Sequence, residues 1–144
     1  MFQPLLTPYQ MLELGVFDGN YFKGSYSDFE QEITVAPSNL FMEGASQPED
    51  VWIKNGWITE EDPCGWFQWY TRYYHGRRVP ELDAWQIGRW KSFVARHSAQ
   101  VAKNGGGDLT KRRKQRQALM HWAADPIPDV DVQDKVSFLK QLTF

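Results

Sequence analysis

The segment that most constrains how this chain folds is residues 62–78, DPCGWFQWYTRYYHGRR, which holds six aromatic rings between positions 66 and 74. On a helix that turns by about 100° per residue, the six rings fall within an arc of about 160°. Large rings bury much apolar area, so such a face is typical of the centre of a core. The opposite side carries Gln68, Thr71, Arg72 and His75. We therefore predict an aromatic face turned inward and a polar face turned outward, with functional groups at the exit of the helix.

The start of this helix is predicted from the residues just before the rings. Asp62 can act as its N-cap, and Pro63 suits the first turn. The acidic residues Glu60 and Glu61 complement the positive end of a helix dipole. A helix that begins at Pro63 is therefore expected.

Capping patterns predict further helices in the first half of the chain. Thr7, Pro8 and Gln10 form a capping-box pattern, and the helix that they begin should end at Gly15. A similar pattern at residues 46–49 begins a helix that Asn55-Gly56 should end. Between the two we expect a loop with buried aromatic residues at 16–24, a short helix at 27–33, and irregular structure at 34–45.

A long helix is predicted over residues 80–104, with three distinct faces. An apolar face at helical spacing includes His97, which we expect to be partly buried in the core. That face comprises Ile87, Trp90, Val94, His97 and Val101, with Phe93 beside it. Small residues that would let a second helix approach recur every seven positions at Gly88, Ala95 and Ala102. A basic stripe lies between these faces and consists of Arg89, Arg96 and Lys103.

The end of the chain predicts two more helices. Three glycines at 105–107 interrupt the chain, and Thr110 is then expected to cap a helix that ends near Asp125. Apolar residues at helical spacing predict a C-terminal helix within residues 129–144. Because no segment shows convincing strand alternation, the expected fold is all-α. We predict a single small irregular domain over residues 1–144, with about six to seven helices and an aromatic-rich core.

Charge is distributed unevenly along the chain. Residues 1–66 contain eleven acidic and two basic side chains, and residues 67–124 contain twelve basic and three acidic ones. Residues 125–144, with four acidic and two basic side chains, are again acidic. One interpretation is that the basic part binds a polyanion such as nucleic acid. The other is that the acidic part folds over the basic part and the charges pair internally.

The sequence at 111–116, KRRKQR, places five cations in the first turns of a predicted helix. The helix dipole disfavours cations there, so the arrangement indicates a counter-anion, either a phosphate backbone or the chain's own carboxylates. The glycines before it would let backbone N–H groups approach a phosphate. We predict a nucleic-acid-binding protein that contacts DNA or RNA phosphates. The candidate residues are Arg77, Arg78, Arg89, Arg96, Lys103, Gly106, Gly107, Lys111, Arg112, Arg113, Lys114 and Arg116.

Two alternatives remain open. The first is a small enzyme that acts on a nucleotide or nucleobase, with catalytic residues unassigned and a cleft built from aromatic faces, arginine and a carboxylate. Its possible pocket comprises Asp62, Trp66, Arg72 and His75. The second is a protein-interaction or inhibitor module, which would require an exposed apolar patch of several hundred Å².

No cofactor, metal or membrane partner is predicted. The one cysteine, Cys64, and the three histidines have no ligand spacing, and neither a phosphate loop nor a nucleophile-elbow motif occurs. No apolar run reaches the roughly 20 residues that span a bilayer, and the N-terminus lacks a signal-peptide pattern. With a single cysteine, the chain is expected to be intracellular, in the cytoplasm, nucleoid or nucleus.

Several segments of the sequence resemble a family of small uncharacterised proteins. They lie at residues 7–21, 45–58, 62–78, 86–91 and 107–119, and the most specific is DPxGWFQWYxRYYxGRR at 62–78. The resemblance covers most of residues 7–125, whereas residues 25–40 and the C-terminal helix differ from it. It implies a shared fold and supplies no activity and no catalytic residues.

Overall fold

The computed structural model describes residues 2–22, 26–44 and 49–144. These residues contain six α-helices and no strand, which confirms the all-α prediction and its aromatic-rich core. The helices are α1 (Pro8–Glu13), α2 (Glu49–Lys54), α3 (Trp66–Tyr74), α4 (Pro80–Asn104), α5 (Arg113–His121) and α6 (Lys135–Gln141).

Helix α1 forms as its capping pattern predicts. The Thr7 side chain accepts a hydrogen bond from the Gln10 backbone N–H (3.1 Å), and the Gln10 side chain accepts one from the Thr7 N–H (2.9 Å). The chain leaves the helix through Gly15, whose φ of +66° favours glycine. A side chain there would also collide with the Ser38 carbonyl oxygen, which lies 2.1 Å from an ideal Cβ.

The aromatic helix α3 begins later than predicted. Its N-cap is Gly65, with φ +98° and no capping side chain, so the prediction that Asp62 caps the helix is wrong. The Asp62 backbone carbonyl instead accepts a hydrogen bond from the Gly65 N–H (3.0 Å) in the turn before the helix. Its carboxylate is turned inward, towards the two arginines described below.

Helix α3 lies at the centre of the core, as its ring pattern indicates. Trp69 is fully buried and donates a hydrogen bond from Nε1 to Asp83 Oδ1 (2.8 Å). The Tyr70 hydroxyl donates to the Leu6 carbonyl (2.6 Å), which satisfies the polar tip of a buried ring. Phe2 packs into the same cluster, with its ring centroid 4.9–6.4 Å from five others. Those five rings belong to Trp66, Trp69, Tyr70, Tyr73 and Trp90.

The division of α3 into an inward and an outward face is only partly correct. Gln68 and Thr71, predicted to face outward, are buried, whereas Tyr74 is 47% exposed. The Thr71 hydroxyl donates to the Phe67 carbonyl (2.8 Å), and Gln68 Oε1 accepts from the Cys64 N–H (2.9 Å). These two bonds are local, and Gln68 Nε2 also donates to Asp28 Oδ2 of the loop (3.4 Å). Because the polar groups are satisfied in this way, loop residues can cover this side of the helix as well.

Helix α4 has the predicted bounds. The Asp83 carboxylate near its start accepts from the Val79 N–H (2.9 Å) as well as from Trp69, so it fixes α4 against α3. Helix α5 packs along α4, where Val101 and Leu119 are buried in a second small cluster. The face of Gly88, Ala95 and Ala102 is exposed, so the predicted close approach of another helix there does not occur within the described residues.

Several predicted boundaries need correction. Residues 27–33 form turns and bends rather than a helix. Helix α5 spans Arg113–His121 rather than extending from a Thr110 cap to Asp125, because Thr110 bonds Asp108 instead. Helix α6 is shorter than the predicted 129–144 and is capped by Asp134, which accepts from the Ser137 N–H (3.1 Å). The capping pattern at 46–49 falls mainly on residues 46–48, which lie outside the described residues.

Candidate nucleic-acid interface

Arg116 is the clearest case of a predicted phosphate ligand that the fold uses internally. It is 0% exposed and forms a two-pronged ion pair with Asp129, with Nη1–Oδ1 and Nη2–Oδ2 distances of 2.8 Å each. Its guanidinium also donates to the carbonyls of Lys111 (2.8 Å), Pro126 (3.1 Å) and Asp108 (3.2 Å). With its donors committed in the interior, Arg116 does not belong to a surface that contacts phosphate.

The predicted anion cradle at the three glycines is also occupied by the chain itself. The Gly107 N–H donates to Asp129 Oδ2 (2.8 Å). A Cβ on Gly105 would lie 2.3 Å from the same oxygen and 2.5 Å from Arg116 Nη2. The turn therefore binds a carboxylate, as the sequence pattern suggests for an anion, but that carboxylate comes from residue 129. Gly106 is exposed, with nothing within 4 Å of an ideal Cβ.

The proposed enzyme pocket does not form around Asp62. This residue is fully buried, and its two oxygens accept from Arg77 at 2.8 and 2.6 Å and from Arg72 at 3.0 Å. Arg72 also pairs with Asp28 at 3.0 Å, and although burial lowers the pKa of its guanidinium, the carboxylates of Asp28 and Asp62 outweigh burial and raise it. Trp66 is buried in the core, and the His75 ring packs against Tyr9 and Phe29.

These groups are packed rather than arranged around a cleft. A groove of about 320 Å³ lies elsewhere, on the side of α3 near the N-terminus, and includes none of the four pocket residues. It is lined by Phe2, Pro4, Leu6, Thr7, Tyr70, Tyr73, Tyr74 and Arg78.

Two further candidate arginines make internal contacts. Arg113 donates from Nη2 and Nε to the Phe41 carbonyl (2.6 and 3.1 Å) and lies over the Phe144 ring. Arg78 is exposed, but its guanidinium lies 3.7 Å above the Tyr73 ring and donates to the Tyr73 carbonyl (2.8 Å). The Arg113 side chain is therefore bound to the loop before α2, and the Arg78 side chain is bound to α3.

Apart from Arg89, the remaining candidate cations lie on the C-terminal half of α4 and around the start of α5. This group, which we call the basic end, comprises Arg96, Lys103, Lys111, Arg112 and Lys114, all exposed. None of the five lies within 4.0 Å of a carboxylate of the described residues. Internal pairing thus accounts for Arg72, Arg77 and Arg116, whereas no cation of the basic end forms a salt bridge with a carboxylate of the described residues.

Gln115 connects the two helices at the basic end. Its Nε2 lies 3.0 Å from His97 Nδ1 and also donates to Gln100 Oε1, while its Oε1 accepts from Arg112 Nη1 (3.2 Å). Burial, and then the Arg96 charge, lower the pKa of His97. The nearby Asp108 carboxylate is held by Thr110, whose hydrogen bonds lower the pKa of that carboxyl. The basic end therefore holds five cations beside one carboxylate that is already hydrogen-bonded.

A second feature surrounds Arg89, which lies seven residues before Arg96 on α4. Arg89 was predicted from the sequence as a phosphate ligand, but the tryptophans around it were not predicted as part of a site. The Arg89 guanidinium lies 4.8 Å from the Trp85 ring centroid, 5.4 Å from that of Trp122 and 5.9 Å from that of Trp57. We call these four residues the tryptophan–arginine cluster. Trp57 and Trp85 are 37% and 41% exposed. The four-residue spacing of Trp85 and Arg89 indicates that these two side chains are neighbours on one face of α4. Trp57 and Trp122 reach Arg89 only through tertiary contacts, which the sequence does not reveal.

No described helix is long and apolar enough to cross a membrane. Among residues 2–22, 26–44 and 49–144, no group of three or more His, Cys, Asp or Glu side chains is placed to hold a metal ion. Comparison with protein-family models, with curated proteins and with solved structures found no match to this chain.

Proposed function

We propose that this protein binds nucleic acid through the phosphate backbone, using the basic end. The observation that supports this most is that five cations are exposed on the C-terminal half of α4 and around the start of α5, and that none forms a salt bridge with a carboxylate of the described residues. Cations brought together in this way repel one another, and the arrangement is stabilised when a polyanion neutralises them. Arg116 and the glycine turn lie outside this interface, because both bond Asp129.

The test is a salt titration of the nucleic-acid-free protein against labelled single-stranded DNA, duplex DNA and RNA. Binding should weaken steeply with salt, with a log–log slope of about −0.7 to −0.9 per phosphate contact. The triple variant K103Q/K111Q/K114Q should bind far more weakly and show a slope reduced by about 2 to 3.

A matched control separates local contacts from total charge. The variant K54Q/K91Q/K140Q removes three positive charges outside the basic end, so its net charge equals that of the test variant. It should retain most of the affinity and the salt slope of the wild type. No binding by the wild type at low salt, or equal losses in the two triple variants, would refute the proposal.

The interaction-module alternative predicts a different behaviour. Its support is the set of large exposed apolar side chains: Met42, Ile53, Trp57, Tyr74, Trp85 and Phe144. Binding through such a surface buries apolar area and depends little on salt. The salt titration therefore distinguishes the two, and the unneutralised basic end favours nucleic acid.

A further inference from the structure

The tryptophan–arginine cluster has features that packing alone does not account for. Arg89 is half-buried, which lowers the pKa of its guanidinium, yet it has no carboxylate partner among the described residues. Its side chain makes one hydrogen bond, from Nη1 to Gln86 Oε1 (2.8 Å). A guanidinium has five N–H donors, so most of its capacity remains unused.

The side chain of Gln86 adds a second unused donor beside Arg89. Gln86 is 0% exposed, and its Nε2 has no hydrogen-bond partner among the described residues. Buried amide donors are normally paired, so this one calls for an explanation. The amide oxygen of Gln86 accepts the hydrogen bond from Arg89, and the amide nitrogen makes no hydrogen bond to the described residues. The tryptophan–arginine cluster itself combines the unused N–H donors of Arg89 with aromatic ring faces, and it contains no carboxylate.

The position of the cluster relates it to the basic end. Arg89, Arg96 and Lys103 are spaced by seven residues on α4, which returns each side chain to nearly the same side of the helix. At 1.5 Å per residue, the three span about 21 Å along the helix axis. The exposed rings of Trp57 and Trp85 thus lie beside Arg89 at the first position of this row, and the other two cations of the row belong to the basic end.

We propose that the tryptophan–arginine cluster is a base-stacking platform for single-stranded nucleic acid, whose backbone continues along α4 to the basic end. This inference rests on the proposed function and makes it more specific. Trp57 and Trp85 stack on unpaired bases, and Arg89 contacts a phosphate or a base carbonyl. In a duplex each base face is covered by the adjacent base pair and cannot stack on Trp57 or Trp85. The platform should therefore bind single strands more tightly than duplex.

The test compares binding of single-stranded DNA, single-stranded RNA of the same sequence, and the duplex by W85A, W57A, W85F and Y74A. Loss of one base stack should weaken single-strand binding by W85A and by W57A about tenfold, with an unchanged salt slope. W85F keeps a ring and should retain most of the affinity. Y74A removes a similarly exposed ring outside the cluster and should bind like the wild type. The DNA and RNA arms identify which single strand is preferred.

Failures of the two proposals can be told apart. If the wild type binds in a salt-dependent manner but W85A and W57A bind single strands as well as Y74A does, the platform is refuted and the basic end stands. If W85F loses as much as W85A, stacking is also refuted. If the wild type binds no nucleic acid at all, both proposals fail. Thermal unfolding of each variant shows whether a loss of binding arises from unfolding. If W85A does not fold, the expected tenfold loss is tested with W57A, against Y74A as the control.

Discussion

Arg116 and Asp129 form an ion pair that is closed off from solvent on both sides, with side chains 0% and 3% exposed. It joins α5 to the segment before α6, and Asp129 also accepts from the Gly107 N–H (2.8 Å). The pair thus holds together the glycine turn, the start of α5 and the C-terminal segment. It sets the geometry on which the exposed cations around it depend.

Removing one charge of this pair should be strongly destabilising. In Asp129→Asn the buried Arg116 charge loses its counter-charge, and we expect a loss of about 3–5 kcal/mol in the free energy of unfolding. Urea denaturation followed by circular dichroism measures it. The double variant R116M/D129L removes both charges and should be much less destabilised than D129N. Equal losses in the two variants would show that the charge pairing itself is not the cause.

The same pair predicts a pH dependence at acid pH. The Arg116 guanidinium lowers the pKa of the Asp129 carboxyl from 3.8 to about 2. Because the folded pKa lies below the unfolded one, the stabilisation is present above about pH 4 and is lost as the pH falls from about 4 to about 2. About 2 kcal/mol should be lost in this window. D129N should not show this loss of stability between pH 4 and pH 2. If the free energy of unfolding fell equally with pH in the wild type and in D129N, Asp129 would not be the titrating group.

His121 predicts a separate pH dependence in a higher window. Burial lowers the pKa of this histidine from 6.5 to about 4, and its ring centroid lies 4.9 Å from that of Phe17. Between these pH values the unfolded chain binds a proton that the folded chain does not, so stability falls as the pH falls from about 6.5 to about 4. The loss should reach about 3 kcal/mol. Urea midpoints across this range measure it, and H121Q should flatten the profile there; an unchanged profile would contradict the prediction.

The helices and their central aromatic cluster could be predicted because the signals are local. Thr7, Pro8 and Gln10 specify the start of α1 within four residues, and Pro80 and the glycines mark both ends of α4. The predicted helix at 27–33 failed because local propensity lost to tertiary contacts. There the Phe29 ring packs on Tyr9, and the Gln31 N–H donates to the Tyr9 hydroxyl at 3.2 Å.

The use made of each arginine could not be predicted, because the partners are distant in sequence. Arg72 pairs with Asp28, 44 residues away, and Arg113 bonds the Phe41 carbonyl, 72 residues away. The charge counts show a surplus of cations in residues 67–124, but they cannot show which of these cations remain exposed. The tryptophan–arginine cluster was missed for the same reason, since Trp57 and Trp122 reach Arg89 from different elements.

Alanine substitutions at two glycines test how tightly the turn packs around the ion pair. Gly105 lies in that turn, and Gly88, on the exposed side of α4, is the control. A Cβ at Gly105 would lie 2.7 Å from the Val101 carbonyl as well as within 2.5 Å of the pair, so Gly105→Ala should destabilise the protein by several kcal/mol. Gly88→Ala places the same methyl group in open space on exposed α4 and should stabilise by roughly 0.5–1 kcal/mol. Thermal unfolding of both variants checks the prediction, and equal melting temperatures would contradict it.

We expect a substitution of Arg112 to change stability and nucleic-acid binding in opposite directions. It is the N-cap of α5 with φ +59° and ψ 31°, a left-handed conformation that costs a non-glycine residue about 1–2 kcal/mol. Its one side-chain hydrogen bond, to Gln115, is exposed and contributes little. Arg112→Gly relieves the backbone strain and should raise the free energy of unfolding by about 1 kcal/mol, measured in urea.

The same variant should bind single-stranded nucleic acid more weakly, with a salt slope reduced by about 0.7, because one phosphate contact is lost. Arg113→Gln is the matched control on the neighbouring residue. Its guanidinium bonds the Phe41 carbonyl, so R113Q should lower stability while leaving the salt slope unchanged. A strained residue persists where its side chain serves another purpose. If R112G gained stability and kept the full salt slope, Arg112 would have to be removed from the interface.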